Sequence, residues 1–350
     1  MDLVDRRLSN QKLTSQPFSK PEEVVSWFGA VQAQDFAAAK WALTLRSQVT
    51  TDKEVEDAFN KGLILRTHVM RPTWHFVSPQ DIRWLLKQTS ERVQRFNGSY
   101  FRRSGYDREI FKKTNKILEK NLSGQFLTRE EIKKILEINK IPLDALGLSF
   151  VMMQAELEGI VVSGPKKGKQ FTYALFEERV PNYPDLDRDQ ALSELVKRYF
   201  QSHGPAQIKD FVWWSGLTVK DTTKGISMQK GLSKERINGK DFYFFENSFS
   251  KLIDSVFLIP AFDEYFVAYS DRSEILEERY KKHLNLGGGM INGAIIVSGK
   301  MVGGWKRIIF KNKVEIKINL LDKITSTQRK NLEKEVEKFG KFLNLNPVIV

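Results

Sequence analysis

Apolar positions at helical spacing recur along this chain in blocks, each followed by short β-type runs. The clearest block opens with Leu192, Leu195, Val196 and Tyr199, a helical stripe that Gly204 and Pro205 stop. Ile208, Phe211, Val212 and Trp214 form a second stripe, with Gly216 as its expected C-cap, and Thr218 caps a third helix through Met228. Arg236-Ile237 and the aromatic run Phe242 to Phe245 then flank Asn238-Gly239, the dipeptide preferred in two-residue hairpin turns. Three helices closed by a hairpin predict a winged helix.

The preceding segment repeats this plan. Ile110 to Leu118 reads as a helix, Thr128 caps a second over Glu131 to Leu136, and Leu146 to Gly159 forms a third. A hairpin of Ile160-Val161-Val162 and Phe171 to Leu175 follows, with the basic loop Pro165-Lys166-Lys167-Gly168-Lys169 between its strands. A first copy is fainter: helices at Val24 to Phe28, Ala37 to Leu45 and Asp52 to Lys61, then strands over Leu63 to Val77 broken at Arg71-Pro72, then a long helix over Pro79 to Phe101. From Leu252 the pattern changes to closely spaced strands at Val256 to Ile259, Tyr265 to Tyr269, Ala294 to Ser298, Lys300 to Lys306 and Val314 to Leu320. A helix over Ser326 to Leu343 closes the chain. Short strands punctuated by Gly299 and Gly303-Gly304 predict a small β-barrel or sandwich. The expected class is α+β: tandem winged-helix motifs plus a C-terminal small β-barrel. The expected divisions are 1–104 for the N-terminal helices and first motif, 105–185 and 186–250 for the second and third, and 251–350 for the barrel with its terminal helix.

Charge changes this picture. Lys and Arg outnumber Asp and Glu by 56 to 43 for a net +13, a field that attracts polyanions, although many soluble proteins are basic for colloidal reasons alone. At 350 residues, 41% of them hydrophobic, the chain is long enough for several packed units. It contains no cysteine, which excludes disulfides, thiolate metal sites and a cysteine nucleophile. Its four histidines, His68, His75, His203 and His283, form no helical metal-binding pair, so neither a metal nor another cofactor is expected. Met1 to Asn10 is charged throughout and no run approaches the roughly 18 apolar residues of a membrane span, so the expected location is cytoplasmic and nucleoid-associated.

Several blocks carry a specific resemblance. They are Gly29-Ala30-Val31-Gln32-Ala33-Gln34-Asp35, Arg66 through His75, His203-Gly204-Pro205-Ala206, Pro260 through Tyr265, Ser270-Asp271-Arg272, and Val302-Gly303-Gly304-Trp305-Lys306. Together they span nearly the whole chain, which resembles the winged-helix DNA glycosylases of the AlkZ and YcaQ type. That resemblance implies three winged-helix motifs and a terminal β-barrel around a cleft, and an activity that removes alkylated bases from DNA. It places a Gln-apolar-Gln motif, here Gln32, Ala33 and Gln34, at the cleft centre. A related branch has Gln-apolar-Asp there. The match is to the first branch, associated with bulky lesions and crosslink unhooking, and Ala33 is smaller than the usual central residue.

The chemistry of these residues constrains the motif. Residues two apart point to opposite sides of a helix but to one side of an extended segment, so both amides face one cleft only if the backbone is not helical. A glutamine amide takes up no proton near neutral pH and is no strong base. It can orient a water, and its carbonyl oxygen can stabilise positive charge developing on a sugar. That suits an N3- or N7-alkylated purine, which carries positive charge and departs as a neutral base. Spacing alone favours surface or capping amides, and it is the surrounding resemblance that reverses this. Arg66 and Arg71 are candidates for phosphate contacts through their planar guanidinium groups, as are Lys166, Lys167 and Lys169 in the basic loop. His75 is a candidate to touch a phosphate or help position water, although a histidine beside Trp74 is commonly structural. Asp263-Glu264, read as adjacent strand residues, are expected to be structural partners of nearby Arg or Lys. Trp213, Trp214 and Trp305 fit either base stacking or core packing, with core packing favoured by the Phe211, Val212 and Trp214 stripe.

Two functions follow. One is a monofunctional glycosylase acting as a monomer on double-stranded DNA with alkylated purines, with Gln32 and Gln34 placing water. The other is a non-catalytic winged-helix regulator or architectural protein, which needs no water-positioning pair.

Overall fold

The computed structural model describes residues 3–183, 185–247, 249, 253–281 and 293–350. The division expected at 250–251 and His283 lie outside them. In the first third, α1 (Leu3–Asn10), α2 (Pro21–Phe28), α3 (Phe36–Thr44) and α4 (Asp52–Asn60) surround a three-stranded sheet of order β1-β3-β2, made of β1 (Ala30–Gln32), β2 (Leu65–Val69) and β3 (Arg71–Val77). The expected break at Arg71-Pro72 falls one residue earlier: Met70 turns the chain at φ 62°, and Pro72 sits at the start of β3, where β1 does not pair.

The 22-residue helix α5 (Ile82–Arg103) leads to α6 (Arg108–Leu122), β4 (Leu127–Thr128), α7 (Arg129–Ile138), α8 (Ala145–Leu157), β5 (Val161–Ser163) and β6 (Thr172–Leu175), followed by the short α9 (Phe176–Arg179). Thr128 and Glu131 form the capping box their spacing implies, each accepting from the other's backbone N–H. The next unit is α10 (Arg188–Ser202), α11 (Ile208–Ser215), α12 (Val219–Ser227) and the hairpin β7 (Leu232–Ile237) and β8 (Lys240–Phe245). Asn238 and Gly239 take φ 49° and 76°, the double left-handed turn expected there.

Two expectations for the C-terminal part are corrected. Tyr265 to Tyr269 is not a strand. Glu264–Val267 is a helix, α13, capped by Asp263, whose Oδ1 accepts the Tyr265 N–H at 2.8 Å. The whole run from Tyr265 to Tyr269 is buried, so its apolar pattern cannot distinguish a strand from a buried helical turn. The barrel is not closed either. β9 (Val256–Ile259), β10 (Gly293–Val297), β11 (Lys300–Ile309), β12 (Lys313–Leu320) and β13 (Asn346–Ile349) form one sheet of order β13-β12-β11-β10-β9. Among the described residues β9 and β13 remain its two edges, which makes it a half-barrel, and α14 (Ser326–Leu343) packs against it.

The N-terminal helices belong to this C-terminal core. Trp41 of α3 lies 5.0 and 5.1 Å from Phe339 and Phe342 of α14, and its indole N–H donates to Leu258 O at 2.7 Å. Helix α1 is held by buried polar side chains: Arg7 Nε donates to Pro205 O at 2.9 Å and Asn10 Nδ2 to Gly204 O at 2.7 Å. Sequence-distant segments are thereby fixed around β1 and β3. No described helix is long and apolar enough to cross a membrane.

Candidate active site

Gln32 and Gln34 lie in the link between α2 and α3, and local chemistry keeps that link extended. Gly29 ends α2 at φ 80°, a conformation side-chain-bearing residues rarely adopt. Asp35 starts α3 by accepting the Ala38 N–H at 3.0 Å. Between them Ala30, Val31 and Gln32 pair with Val77, Phe76 and His75, and the Ala33 N–H donates to Trp74 O at 2.8 Å. Ala33 is fully buried among Val31, Phe59 and Phe76, as an inward-turned central residue requires. Gln32 Oε1 accepts the Gln34 N–H at 2.9 Å, and Gln34 Oε1 accepts the Trp74 N–H at 3.3 Å. Each amide oxygen has a second lone pair left for a water.

Gln32 is buried and Gln34 exposed. Gln32 forms part of the wall of a cavity of about 480 Å³, within the roughly 300–1,000 Å³ of ligand pockets, whereas Gln34 is not among its lining residues, so the expected pair of amides on one wall is met by Gln32 alone. Arg71, Arg92 and Arg272 also line it, as do Phe96, Trp213 and Phe262, and among the described residues no carboxylate does. Arg71 has its Nε and one terminal nitrogen buried without a hydrogen-bond partner. Burial, and then the neighbouring Arg71 charge, lower the pKa of Arg272. Guanidinium groups crowded in this way, with the carboxylates that act on them, Glu264 and Asp210, lying outside the lining, are relieved by an anion. Met70 and Phe262, two more lining residues, hold positive φ of 62° and 60°, the kind of local strain that concentrates at functional sites. A larger cavity of about 820 Å³ between α5 and α10 is lined by Asp81, Asp189 and Glu194, a poor surface for a polyanion.

Two buried carboxylates brace the motif. Glu264 Oε1 accepts the Gln32 N–H at 2.7 Å, while its Oε2 accepts from Trp214 Nε1 at 3.0 Å and meets His203 Nε2 at 3.3 Å. Burial works to raise the Glu264 carboxyl, but the His203 contact, the Gln32 N–H and the Arg71 charge outweigh it and hold it below the usual range. Glu264 is buried and is not among the residues lining the cavity, so it positions Gln32 from behind the wall. Glu156 of α8 accepts from the backbone N–H and Nδ1 of His68 at 2.8 and 2.5 Å, and the His68 ring lies 4.5 Å from that of Trp74, tilted by 42°. Neither Asp263 nor Glu264 lies on a strand, but Asp263, the cap of α13, is a structural partner of an arginine and receives both terminal nitrogens of Arg46 at 2.7 and 2.8 Å.

The other expected site residues sit as follows. Arg71 lines the cavity. Arg66 braces the motif, donating from Nε to Ala33 O at 3.0 Å and from Nη2 to Gln34 O at 3.3 Å, with its guanidinium 4.4 Å from the Trp74 ring centre. His75 is fully buried, which rules out phosphate contact in this arrangement; burial, with Arg71 adding to it, pushes its pKa down to about 3. Lys166 is committed to Glu56 at 3.0 Å and Lys167 to Glu131 at 2.8 Å. Lys169 is exposed and makes no ion pair among the described residues. Trp305 and Trp214 are core residues, whereas Trp213 is half exposed in the cavity wall. Arg92 and Phe96 were not singled out from the sequence, because on α5 they read as any solvated helical face. Among the described residues no group of three His, Cys, Asp or Glu is placed to hold a metal ion.

Comparison with known proteins fits this geometry. The family model for AlkZ-like DNA glycosylases matches residues 25–342. An interstrand DNA cross-link repair glycosylase from Streptomyces sahachiroi is 23% identical over 322 residues, covering 86% of this chain and 85% of the relative. The solved structure of the Streptomyces sahachiroi DNA glycosylase AlkZ superposes with a TM-score of 0.80 at 20% identity, over 99% of this chain and 98% of that one. The chain belongs to the AlkZ-like DNA glycosylase family.

Proposed function

We propose that this protein is a monofunctional DNA glycosylase that hydrolyses the N-glycosidic bond of N3- and N7-alkylated purines, bulky or crosslinked adducts included, in double-stranded DNA. The observation that carries the reading is the cavity with Gln32 in its wall and three arginines but no carboxylate in its described lining. An extruded nucleotide brings a sugar and flanking phosphates, and the arginines take the phosphates while the amides take the water. The alkylated base already carries positive charge and leaves as a neutral group, so no general acid is needed. Gln32 and Gln34 accept hydrogen bonds from the attacking water and orient it toward the sugar carbon; as its oxygen bonds to that carbon the glycosidic bond breaks, its electron pair leaving with the base, and the water's proton passes to solvent, while the carbonyl dipoles favour the positive charge that develops on the sugar. The relative named as a cross-link repair glycosylase supports the extension to bulky adducts.

The helix-and-hairpin units act as winged-helix modules of one monomeric chain, divided at about the segments 1–104, 105–185, 186–250 and 251–350. In the second unit the third helix, α8, is buried along most of its length. That leaves its hairpin loop, with Lys169, as the part able to reach a phosphate. The direct test is abasic-site formation in a duplex with one N7-methylguanine. Abasic sites at the lesion and not in an undamaged duplex are expected; tight duplex binding without base release would instead favour a non-catalytic DNA-binding protein.

A further inference from the structure

Trp213 takes no part in the chemistry above, and its setting is unusual for an indole. It lies on α11 directly before the buried Trp214, yet 49% of it is exposed, in the wall of the cavity that holds Gln32. Its edge is anchored, since Nε1 donates to Val267 O at 3.0 Å. The Arg272 guanidinium lies 6.0 Å from its ring centre, and about half of the residue stays exposed, so the ring is preorganised and ordering it on binding costs little further side-chain entropy. Phe96, 74% exposed on α5, belongs to the same cavity. Exposed aromatics lining a shielded, arginine-bearing cavity suit a flat ring better than solvent.

The indole face adds a charge preference. Among aromatic side chains, tryptophan attracts a cation over its ring most strongly. The arginines of the cavity disfavour a cationic base, so something in the site must offset that repulsion if charged lesions are to be selected. We infer that Trp213 is the platform on which the extruded alkylpurine stacks, and that it selects the positively charged base over a neutral one of the same shape. This rests on the glycosylase reading.

Its test separates charge from shape and binding from chemistry. Affinity would be measured for two uncleaved duplexes, one carrying 2′-fluoro-2′-deoxy-N7-methylguanosine, a cation, and the other 2′-fluoro-2′-deoxy-7-methyl-7-deazaguanosine, its neutral isostere. The wild-type protein is expected to prefer the cationic duplex by roughly three- to tenfold. Trp213→Ala should lose that preference and Trp213→Phe keep part of it. Both variants lack the bond to Val267, so matched melting temperatures isolate the ring's contribution. Equal wild-type affinity for both duplexes, or a preference retained in Trp213→Ala, overturns the inference. Excision of cleavable N7-methylguanine by the wild type reports separately on the glycosylase reading and stands whichever way the affinities fall.

Discussion

Glu264 joins three segments at one carboxylate: the Gln32 backbone on β1, Trp214 on α11 and His203 at the end of α10. The position of the catalytic candidate is thus set by a residue 232 positions away in the chain. His75, cross-strand from Gln32, carries a pH consequence. Its pKa is depressed to about 3 by burial, so in the folded protein it stays neutral. Unfolded, it protonates near pH 6.5. Its contribution to stability is therefore complete above about 6.5 and is lost as pH falls toward about 3. Between pH 7 and pH 5 the loss is expected to be about 2 kcal/mol. His75→Asn, which keeps a donor for Thr73 O but does not titrate, should show a smaller drop in urea-denaturation stability over that interval. An identical drop would show that His75 is not buried neutral.

At the scale of elements, Gly216 ends α11 in the left-handed conformation at φ 72° and lines the cavity that holds Gln32. A Cβ there would meet Met70 O at 2.6 Å, and Met70 is itself in the left-handed turn between β2 and β3. Gly216→Ala should cost about 1–3 kcal/mol by thermal or urea denaturation, from backbone strain and the displaced turn. A cost near zero would mean that this wall is pliant. Gly216, the caps Thr218 and Thr128, and the Asn238-Gly239 turn were legible in the sequence because each acts locally, through a cap or a positive φ. The helical stripes and the terminal helix were legible for the same reason. What escaped was set by tertiary contact. Helix α1 escaped because its charged residues read as solvated, whereas Arg7 and Asn10 are buried to hold residues 204 and 205. β13 contains Pro347 and exists only as an added edge beside β12. In the candidate site the Gln pair and Arg71 were legible through their motifs. Arg92 and Phe96 were not, since only the tertiary fold turns that face of α5 toward Gln32.

Across the whole molecule, net charge and local pairing have to be separated. Of the +13, Lys166 and Lys167 are already matched by Glu56 and Glu131, whereas the arginine-lined cavity is not matched by any carboxylate in its described lining. Duplex affinity should fall steeply with salt as bound counterions are released, and Arg92→Ala should reduce the slope of log K against log salt by about 1. Lys167→Ala should change that slope less, because Lys167 already has a carboxylate partner. Equal effects of the two substitutions in a fluorescence-anisotropy titration would remove the cavity from the DNA path. The central claim is that this molecule binds DNA in order to break a glycosidic bond, with the Gln32–Gln34 pair acting in the transition state. The most direct measurement is single-turnover release of N7-methylguanine by the wild type and Gln34→Ala, with duplex affinity measured on the same proteins. The account predicts a rate lower by about 10² to 10³ in Gln34→Ala with affinity nearly unchanged. Wild-type excision by the Gln34→Ala protein would contradict it.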